Sequence, residues 1–556
     1  MSTDLALDRL LATEAARGAE TWLTQPMGGG EVKELTWAEA VGQARRMATH
    51  LRSLDLPAGT HIAIFSKNTA WWILADVAIW MAGHVSIPLY PTLTAETIAQ
   101  VLEHSGAKLI FIGKLDGYDE MKPGIPEALP RIILPLSPET GFDKWDDLIA
   151  GAEPLAEVAQ RTDDEVATVI YTSGSTGAPK GVMLTFGAMA TATKGIIQQL
   201  GVSSSDRMLS YLPLAHAFER WIVEHTTLMS GFSVYFAESL NTFVADLRRA
   251  RPTLFISVPR LWQKFQLGVL AKMPREKLAR LLKIPILNRV IRKKVLTGLG
   301  LQEVRFAGSG SAPIPPELIQ WYQDLGLELL EGYGMTENFS YSHCNKPGKS
   351  RPGYVGSVYE NVECRLSEEG EILVKSPGSM KGYYNAPELT AEAFTEDGFL
   401  KTGDRGEMDS EGRLRITGRT KELFKTSKGK YVAPAPIENK LLVHPRVEMA
   451  CVTGNGFPKP HGLVMLSEQA RAELAGGGDG VRSAITGELT ALLDQVNGVL
   501  DHHEQMQFLA VVADEWLIEN GFLTPTMKLK RAKVDEVYTP HAEGWYGAGD
   551  RVVWEA

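Results

Sequence analysis

Cysteine is scarce in this chain: Cys344, Cys364 and Cys451 are the three thiols in 556 residues. They are too few and too scattered for a disulfide framework or, by themselves, a zinc site, and they fit a reducing compartment. Metal-ligand spacing is missing as well. The twelve histidines fall into no zinc-type pattern, and the adjacent His502 and His503 would face different directions on a helix. Net positive charge is also lacking. A formal charge of −10 makes the bulk surface repel DNA, RNA and anionic lipid, so no nucleic-acid partner is expected. The opening residues, Met1 to Asp8, lack the basic start and apolar run of a signal peptide, which leaves a cytoplasmic location as the expectation. No repeat with a period of roughly 20–50 residues is present, which excludes solenoids.

Long apolar runs are few. The strongest, Trp71–Tyr90, carries Asp76 near its middle and Pro88 near its end. A membrane span wants about 20 apolar residues with very few charges. The run is therefore predicted to be a buried helix followed by a core strand.

What is present is an ordinary globular composition, 44% hydrophobic and 22% charged, at a length that exceeds one core. Helical and strand-like patterns alternate, the signature of α/β layers. His61–Phe65 and Lys108–Ile112 read as strands around the helical stretch Trp71–Gly83. Loops rich in Gly, Ser and Thr follow the apolar segments Val166–Ile170, Glu303–Ala307 and Leu327–Leu330. Ligands in parallel α/β sheets collect beyond the carboxyl ends of strands, so these loops point to one shared site. Pro315 and Pro316 suit the first turn of a helix. Near Gly418 the texture changes. Asp409–Gly412 reads as a turn between two strands, followed by the charged stretch Arg419–Lys430. The expected architecture is α/β, with a large N-terminal region of layered sheets and helices over residues 1–420. A small, mobile α+β domain is expected over residues 421–556. Gly476–Gly480 is expected to be a surface loop in the small domain.

The loop Thr172–Gly181 reads Thr-Ser-Gly-Ser-Thr-Gly-Ala-Pro-Lys-Gly. Glycines let backbone approach a ligand, hydroxyls add donors and Lys180 adds charge, which together make a polyphosphate cradle. It is not a Walker A loop, because the GxxxxGK[ST] spacing is missing and Val182–Thr185 looks like a strand. Alone, such a loop reads equally as a flexible surface hairpin.

Further segments give the loop its meaning. Pro213–Phe218, Gly308–Ala312, Gly332–Glu337, Thr402–Asp404, Gly418–Lys421 and Thr524–Lys528 follow in order. With Thr172–Gly181 they resemble the motifs of the superfamily that holds acyl-CoA synthetases, firefly luciferases and peptide-synthetase adenylation domains. The segment Lys425–Pro434 is most similar to long-chain fatty acyl-CoA synthetases.

The resemblance implies an ATP-dependent, AMP-forming ligase that converts a medium- or long-chain fatty acid, through acyl-AMP, to acyl-CoA. Its reactants would be ATP, Mg²⁺, coenzyme A and the acid. Thr172, Ser173, Gly174, Ser175, Thr176, Gly177 and Lys180 would hold the β- and γ-phosphates. Gly308, Ser309, Gly310 and Ser311 would line the adenine and acyl pocket, with Gly332, Tyr333 and Gly334 completing the nucleotide site. Thr336 would meet the α-phosphate and Glu337 would bind Mg²⁺. Asp404, reinforced by Arg419, would accept from the ribose hydroxyls. His216 would lie by the reacting carboxylate, and Lys528 would bridge carboxylate and α-phosphate. Lys421 would be the hinge about which the small domain swings, after which a face including Lys425–Gly429 would serve thioester formation. Many relatives carry Asp where this chain has Gly418. Phe218 and Trp221 are candidates for the acyl wall.

Read singly, each residue has a plainer account. Thr336 and Glu337 suit a helix cap, Asp404 a turn, Arg419 and Lys528 a solvated charge, and His216 a satisfied core residue. An acyl-AMP ligase serving a carrier protein and a catalytically idle nucleotide- or lipid-binding relative remain alternatives. The short stretch beyond Lys533 weighs against the first of these. Lys272–Lys294 holds nine basic residues against one acid, Glu276, with interleaved aliphatics. It reads as solvated helices packed on the core or, alternatively, as peripheral membrane contact.

Overall fold

The structure, a computed structural model, describes residues 4–173, 179–518, 520–524 and 527–555. Gly174, Ser175, Thr176 and Gly177 lie outside the described residues, as does the side chain of Ser173.

The strand predicted at His61–Phe65 pairs in parallel with Val85–Leu89 and Leu109–Ile112. These belong to an eight-stranded sheet that also contains the antiparallel pair Val166–Ser173 and Pro179–Thr185. The apolar run resolves as predicted, into helix Ala70–Ala82 followed by strand Val85–Leu89. Thr69 starts the helix by accepting the Trp72 N–H at 3.2 Å, and Gly83 ends it in the left-handed conformation at φ +96°. Asp76 is fully buried and its charge is met by Arg220.

A second sheet sets Leu254–Ser257, Phe306–Ser309 and Leu329–Tyr333 in parallel, with His343–Cys344 and Ser357–Val358 added antiparallel. Its second and third strands begin two or three residues later than the apolar pattern suggests. They run into the glycine-rich motifs, because sheet pairing holds backbone that has little side chain to contribute. Glu363–Leu366, Glu371–Lys375, Leu400–Met408 and Leu414–Arg419 form an antiparallel sheet. The Asp409–Gly412 turn joins its last two strands, with Asp409 accepting from the Glu411 and Arg413 N–H groups.

Beyond residue 420 lie the short pair Phe424–Lys425 and Tyr431–Val432, a four-stranded sheet from Val447 to Trp554, and three helices. Among the described residues, every large apolar cluster draws its buried members either from residues up to 414 or from residues after 431. Gly476–Gly480 differs from expectation. Two helices within Glu468–Asn497 meet across it at a kink on the surface, where Gly478 takes the non-helical φ 58°, ψ −151°. The flanking apolar residues Ala470, Ile485 and Leu489 are buried on the small sheet, so packing fixes the helix on either side while glycine permits the break between them.

Candidate active site

Thr172 stands opposite Lys180 on the antiparallel pair, and the Lys180 ammonium lies 5.6 Å from the centre of the Tyr383 ring. The Tyr383 hydroxyl donates to Glu337 Oε1 at 2.9 Å. Tyr383 thereby joins the phosphate-loop strand to the carboxylate predicted to hold a metal. Neither the spacing nor the motifs singled it out, since it is remote in sequence from both partners. The only signal was the aromatic pair Tyr383 and Tyr384 directly after Gly382.

Thr336 is buried and opens a one-turn 3₁₀ helix, Thr336–Asn338. The Asn338 carboxamide fixes that turn by accepting the Met335 N–H at 2.9 Å. The chain folds back tightly here. A Cβ on Gly334 would stand 2.5 Å from the Ser340 carbonyl, so only glycine fits.

Asp404 is held through both oxygens. Tyr333 donates its hydroxyl to Oδ2 at 2.7 Å, and Arg419 donates Nε to Oδ1 at 2.8 Å. Burial, followed by the Asp404 charge, pushes the Tyr333 phenol well up. Gly332 lies on the same strand as Tyr333. Gly308 and Ser309 end the neighbouring strand, Gly310 follows, and Ser311 sits at φ +67°. Gly310 faces Phe218, whose ring would stand 3.2 Å from a Cβ there.

His216 is oriented by its own chain. Its Nδ1 accepts the Phe218 N–H at 3.1 Å, which leaves Nε2 to carry the proton of the neutral ring. Burial and, secondarily, the Lys528 charge push its pKa down to about 3. Under the loop sits a polar network the motifs did not reveal. Asn68 Oδ1 accepts the Leu214 N–H at 3.0 Å, and its amide donates to Ser210 Oγ at 2.8 Å. Glu219 Oε1 accepts from Ser210 Oγ and from the Tyr211 N–H. Burial raises the Glu219 pKa to about 8. The next residue, Arg220, pairs with Asp76 and Glu224, and donates to Thr168 and Ser86 at 2.8 and 2.9 Å. Thr168 lies on the strand that leads into the phosphate loop, so this ion pair ties helix, loop and strand together. Trp221 is buried edge-on against Tyr341 and Tyr359.

Lys528 comes from the far end of the chain. Its N–H donates to Thr524 Oγ1 at 3.0 Å, and the Thr524 N–H donates to the Lys528 carbonyl at 2.8 Å. The residue is exposed, with the charges of Arg419, Asp404, Glu337 and Glu422 in its neighbourhood. Burial and the Arg419 charge lower its pKa, while Asp404, Glu337 and Glu422 act to raise it. Lys528 is near enough for its charge to act on His216, and for the charges of Asp404 and Glu337 to act on it. The C-terminal part is held there by Arg260 with Glu448, and by Gln263 Nε2 on the Leu442 carbonyl at 2.5 Å.

The segment joining the two parts carries Gly418 at φ +154°. That backbone favours glycine. Lys421 lies in the one-turn helix Thr420–Glu422 that follows.

The family model for the AMP-binding enzyme matches residues 12–384. The chain belongs to the AMP-binding enzyme family. A long-chain-fatty-acid–CoA ligase of Mycobacterium bovis is 30% identical, covering 92% of this chain and 92% of the relative. A peroxisomal long-chain acyl-CoA synthetase of Arabidopsis thaliana is likewise 30% identical, covering 94% of this chain and 83% of the relative. Two solved structures share the fold of this AMP-binding enzyme. One is an anthranilate–CoA ligase in complex with anthranoyl-AMP, with TM-score 0.78, 20% identity, and 97% of this chain and 98% of the other covered. The other is the adenylation domain of a carboxylate reductase from Mycobacterium chelonae, with TM-score 0.80, 22% identity, and 98% and 91% covered.

Among the described residues no group of three or more His, Cys, Asp or Glu could hold a metal ion. Glu337 offers a single carboxylate, one oxygen of which takes the Tyr383 hydroxyl. That donor set fits Mg²⁺, which prefers one or two carboxylates with substrate phosphates and water to an all-protein cage. No helix among the described residues is long and apolar enough to cross a membrane.

Proposed function

We propose that this AMP-binding enzyme activates a medium- or long-chain fatty acid with ATP and transfers the acyl group to coenzyme A. The observation that supports the reading is the fixing of Asp404 by Tyr333 and Arg419 and of Glu337 by Tyr383, with Lys528 near enough to feel both carboxylates. The identity to fatty-acid–CoA ligases over most of the chain supplies the substrate class.

The chemistry explains the arrangement. In the first step the carboxylate attacks the α-phosphorus of ATP, a bond to the acyl oxygen forms, and the bond to pyrophosphate breaks. Two unit negative charges about 4 Å apart repel by roughly 4 kcal/mol at an effective dielectric near 20. The site must therefore supply preorganised cations and donors. Lys528 bridges carboxylate and α-phosphate, Thr336 donates to the α-phosphate, and Lys180 with the hydroxyls of Thr172–Thr176 holds the phosphate tail. Mg²⁺, held by Glu337, would neutralise phosphate charge. Asp404, oriented by Tyr333 and Arg419, accepts from the ribose hydroxyls. Neutral His216 presents its Nε2–H toward the acid without adding a charge, and the acyl chain enters beside Phe218 and Gly310.

In the second step the CoA thiol attacks the acyl carbonyl carbon, the thioester forms, AMP leaves and the thiol proton passes to solvent. The large domain ends at residue 420 and the small one turns about Lys421. That rotation withdraws Lys528 and brings the Lys425–Gly429 loop, exposed except at Thr426, to the cleft.

Incubation with ATP, Mg²⁺ and a series of fatty acids, with and without CoA, tests the reading. Pyrophosphate release together with a CoA-dependent thioester is expected. Pyrophosphate exchange with no thioester would instead indicate transfer to a carrier protein, and no pyrophosphate from any acid would indicate an idle binder.

A further inference from the structure

We propose that the helical hairpin Arg275–Leu282 and Pro285–Leu299 is a docking surface for a bilayer containing anionic phospholipid. The hairpin divides its apolar residues between two faces. Leu278 and Ile291 are buried in the apolar cluster around Phe255, Trp262 and Tyr322, with Leu281, Leu282, Leu287 and Val295 packed against it. Ile284, Ile286 and Val290 instead face solvent, at 49, 83 and 57% exposure. Ile286, Val290 and Lys293 follow the i, i+4, i+7 spacing of one helical stripe, and Ile284 stands in the turn beside them.

Charge selects the partner. Nine lysines and arginines lie between Lys272 and Lys294 against the single acid Glu276. Among the described residues none of the nine forms an ion pair with a carboxylate, whereas arginines close by do: Arg251 with Glu303, Arg249 with Asp246, Arg305 with Asp206. Glu303, which feels the Lys293 charge, is thus already occupied by Arg251. Arg248, Val290, Lys293, Lys294 and Gln302 line an open depression of about 750 Å³ next to the stripe, of a size and charge to take phosphate headgroups. In a protein of net charge −10 this is a local reversal of sign.

A nucleic-acid backbone would use the cations and leave three aliphatic side chains in water. An anionic bilayer uses both, with cations at the headgroups and isoleucine and valine among the upper acyl carbons. The inference deepens the fatty-acid reading and rests on it for its purpose, since such acids partition into bilayers and the surface would hold the enzyme at their source.

Flotation of the full chain with phosphatidylcholine vesicles, with and without phosphatidylserine, tests it in the absence of ATP and acid. Wild-type protein is expected to float with the serine-lipid vesicles and to be released by high salt. Ile286→Asp with Val290→Asp, and separately Lys293→Glu with Lys294→Glu, should each lower partitioning by about tenfold or more. Both pairs should keep the wild-type melting temperature and ligase turnover on a short, water-soluble acid. Equal flotation of wild type and variants, binding indifferent to phosphatidylserine, or retention on a DNA duplex without vesicle binding would each overturn the proposal. Failure of the fatty-acid reading would leave the flotation result untouched.

Discussion

Arg419 and Asp404 stand directly opposite each other on neighbouring antiparallel strands, with the guanidinium Nε 2.8 Å from Oδ1. Tyr333 occupies the other oxygen at 2.7 Å from a different sheet, so the carboxylate is fixed from two directions. Asp404→Ala is expected to raise KM for ATP by about tenfold or more, the scale of losing hydrogen bonds to a charged group. Tyr333→Phe should raise it less. Steady-state kinetics with ATP varied check both; an unchanged KM in Asp404→Ala would remove Asp404 from the nucleotide site.

Lys528→Ala should lower the adenylation half-reaction by about 10²–10³-fold, the range for loss of one preorganised donor at developing charge. Thioester formation from supplied acyl-AMP should be largely spared. Substitution of Lys421 should show the opposite bias. Separate assays of pyrophosphate exchange and of acyl-AMP consumption distinguish the two, and equal loss in both halves for Lys528→Ala would contradict the division of labour.

Tyr383→Phe removes the hydroxyl that orients Glu337 and keeps the ring beside Lys180. The Mg²⁺ concentration for half-maximal adenylation should rise several-fold, consistent with a lost neighbour of a metal ligand. The melting temperature should hardly move, since one hydrogen bond nets only about 1 kcal/mol. A magnesium titration at saturating ATP decides it.

Arg220 is fully buried with Asp76 and Glu224. Arg220→Ala would leave Asp76 buried without its cation, at a cost of about 3–5 kcal/mol. A denaturant midpoint measurement should show that loss, together with weaker ATP binding, because the pair braces the strand leading into the phosphate loop.

Glu219 makes stability depend on pH. Burial lifts its pKa from 4.5 to about 8, so the folded state keeps a proton that the unfolded chain releases in that interval. Stability from this group is complete below pH 4.5 and is lost as pH rises through about 8. Glu219→Gln retains an acceptor for Ser210 and Tyr211 without the ionisation. The variant should gain on wild type as pH rises across the window, at up to about 1.4 kcal/mol per pH unit. Parallel melting curves that stay a fixed distance apart from pH 5 to 9 would refute the assignment.

Much of the architecture was legible because local pattern and fold agree. Apolar runs such as His61–Phe65 are long enough for a strand and too short for a helix. Asp409–Gly412 is turn chemistry between two strands, and Asp76 within an apolar run argued for a buried helix. The resemblance then assigned roles to Lys528, Glu337, Asp404 and His216, whose own local patterns read as surface charge, cap, turn and core. Gly476–Gly480 was legible as an exposed break, but burial on either side narrowed the expected loop to a kink at Gly478.

Sequence by itself determined the strands, the glycine-and-hydroxyl motifs and the order in which they occur, since each depends on neighbours within a few residues. Only the tertiary structure decided that Tyr383 would hold Glu337, that Arg220 would match Asp76, and that Ile284, Ile286 and Val290 would face water while Leu278 and Ile291 would not. Those outcomes join residues as many as 144 positions apart or divide the two faces of one hairpin. They are fixed by which sheets and helices pack together, and no local pattern of side chains carries that information.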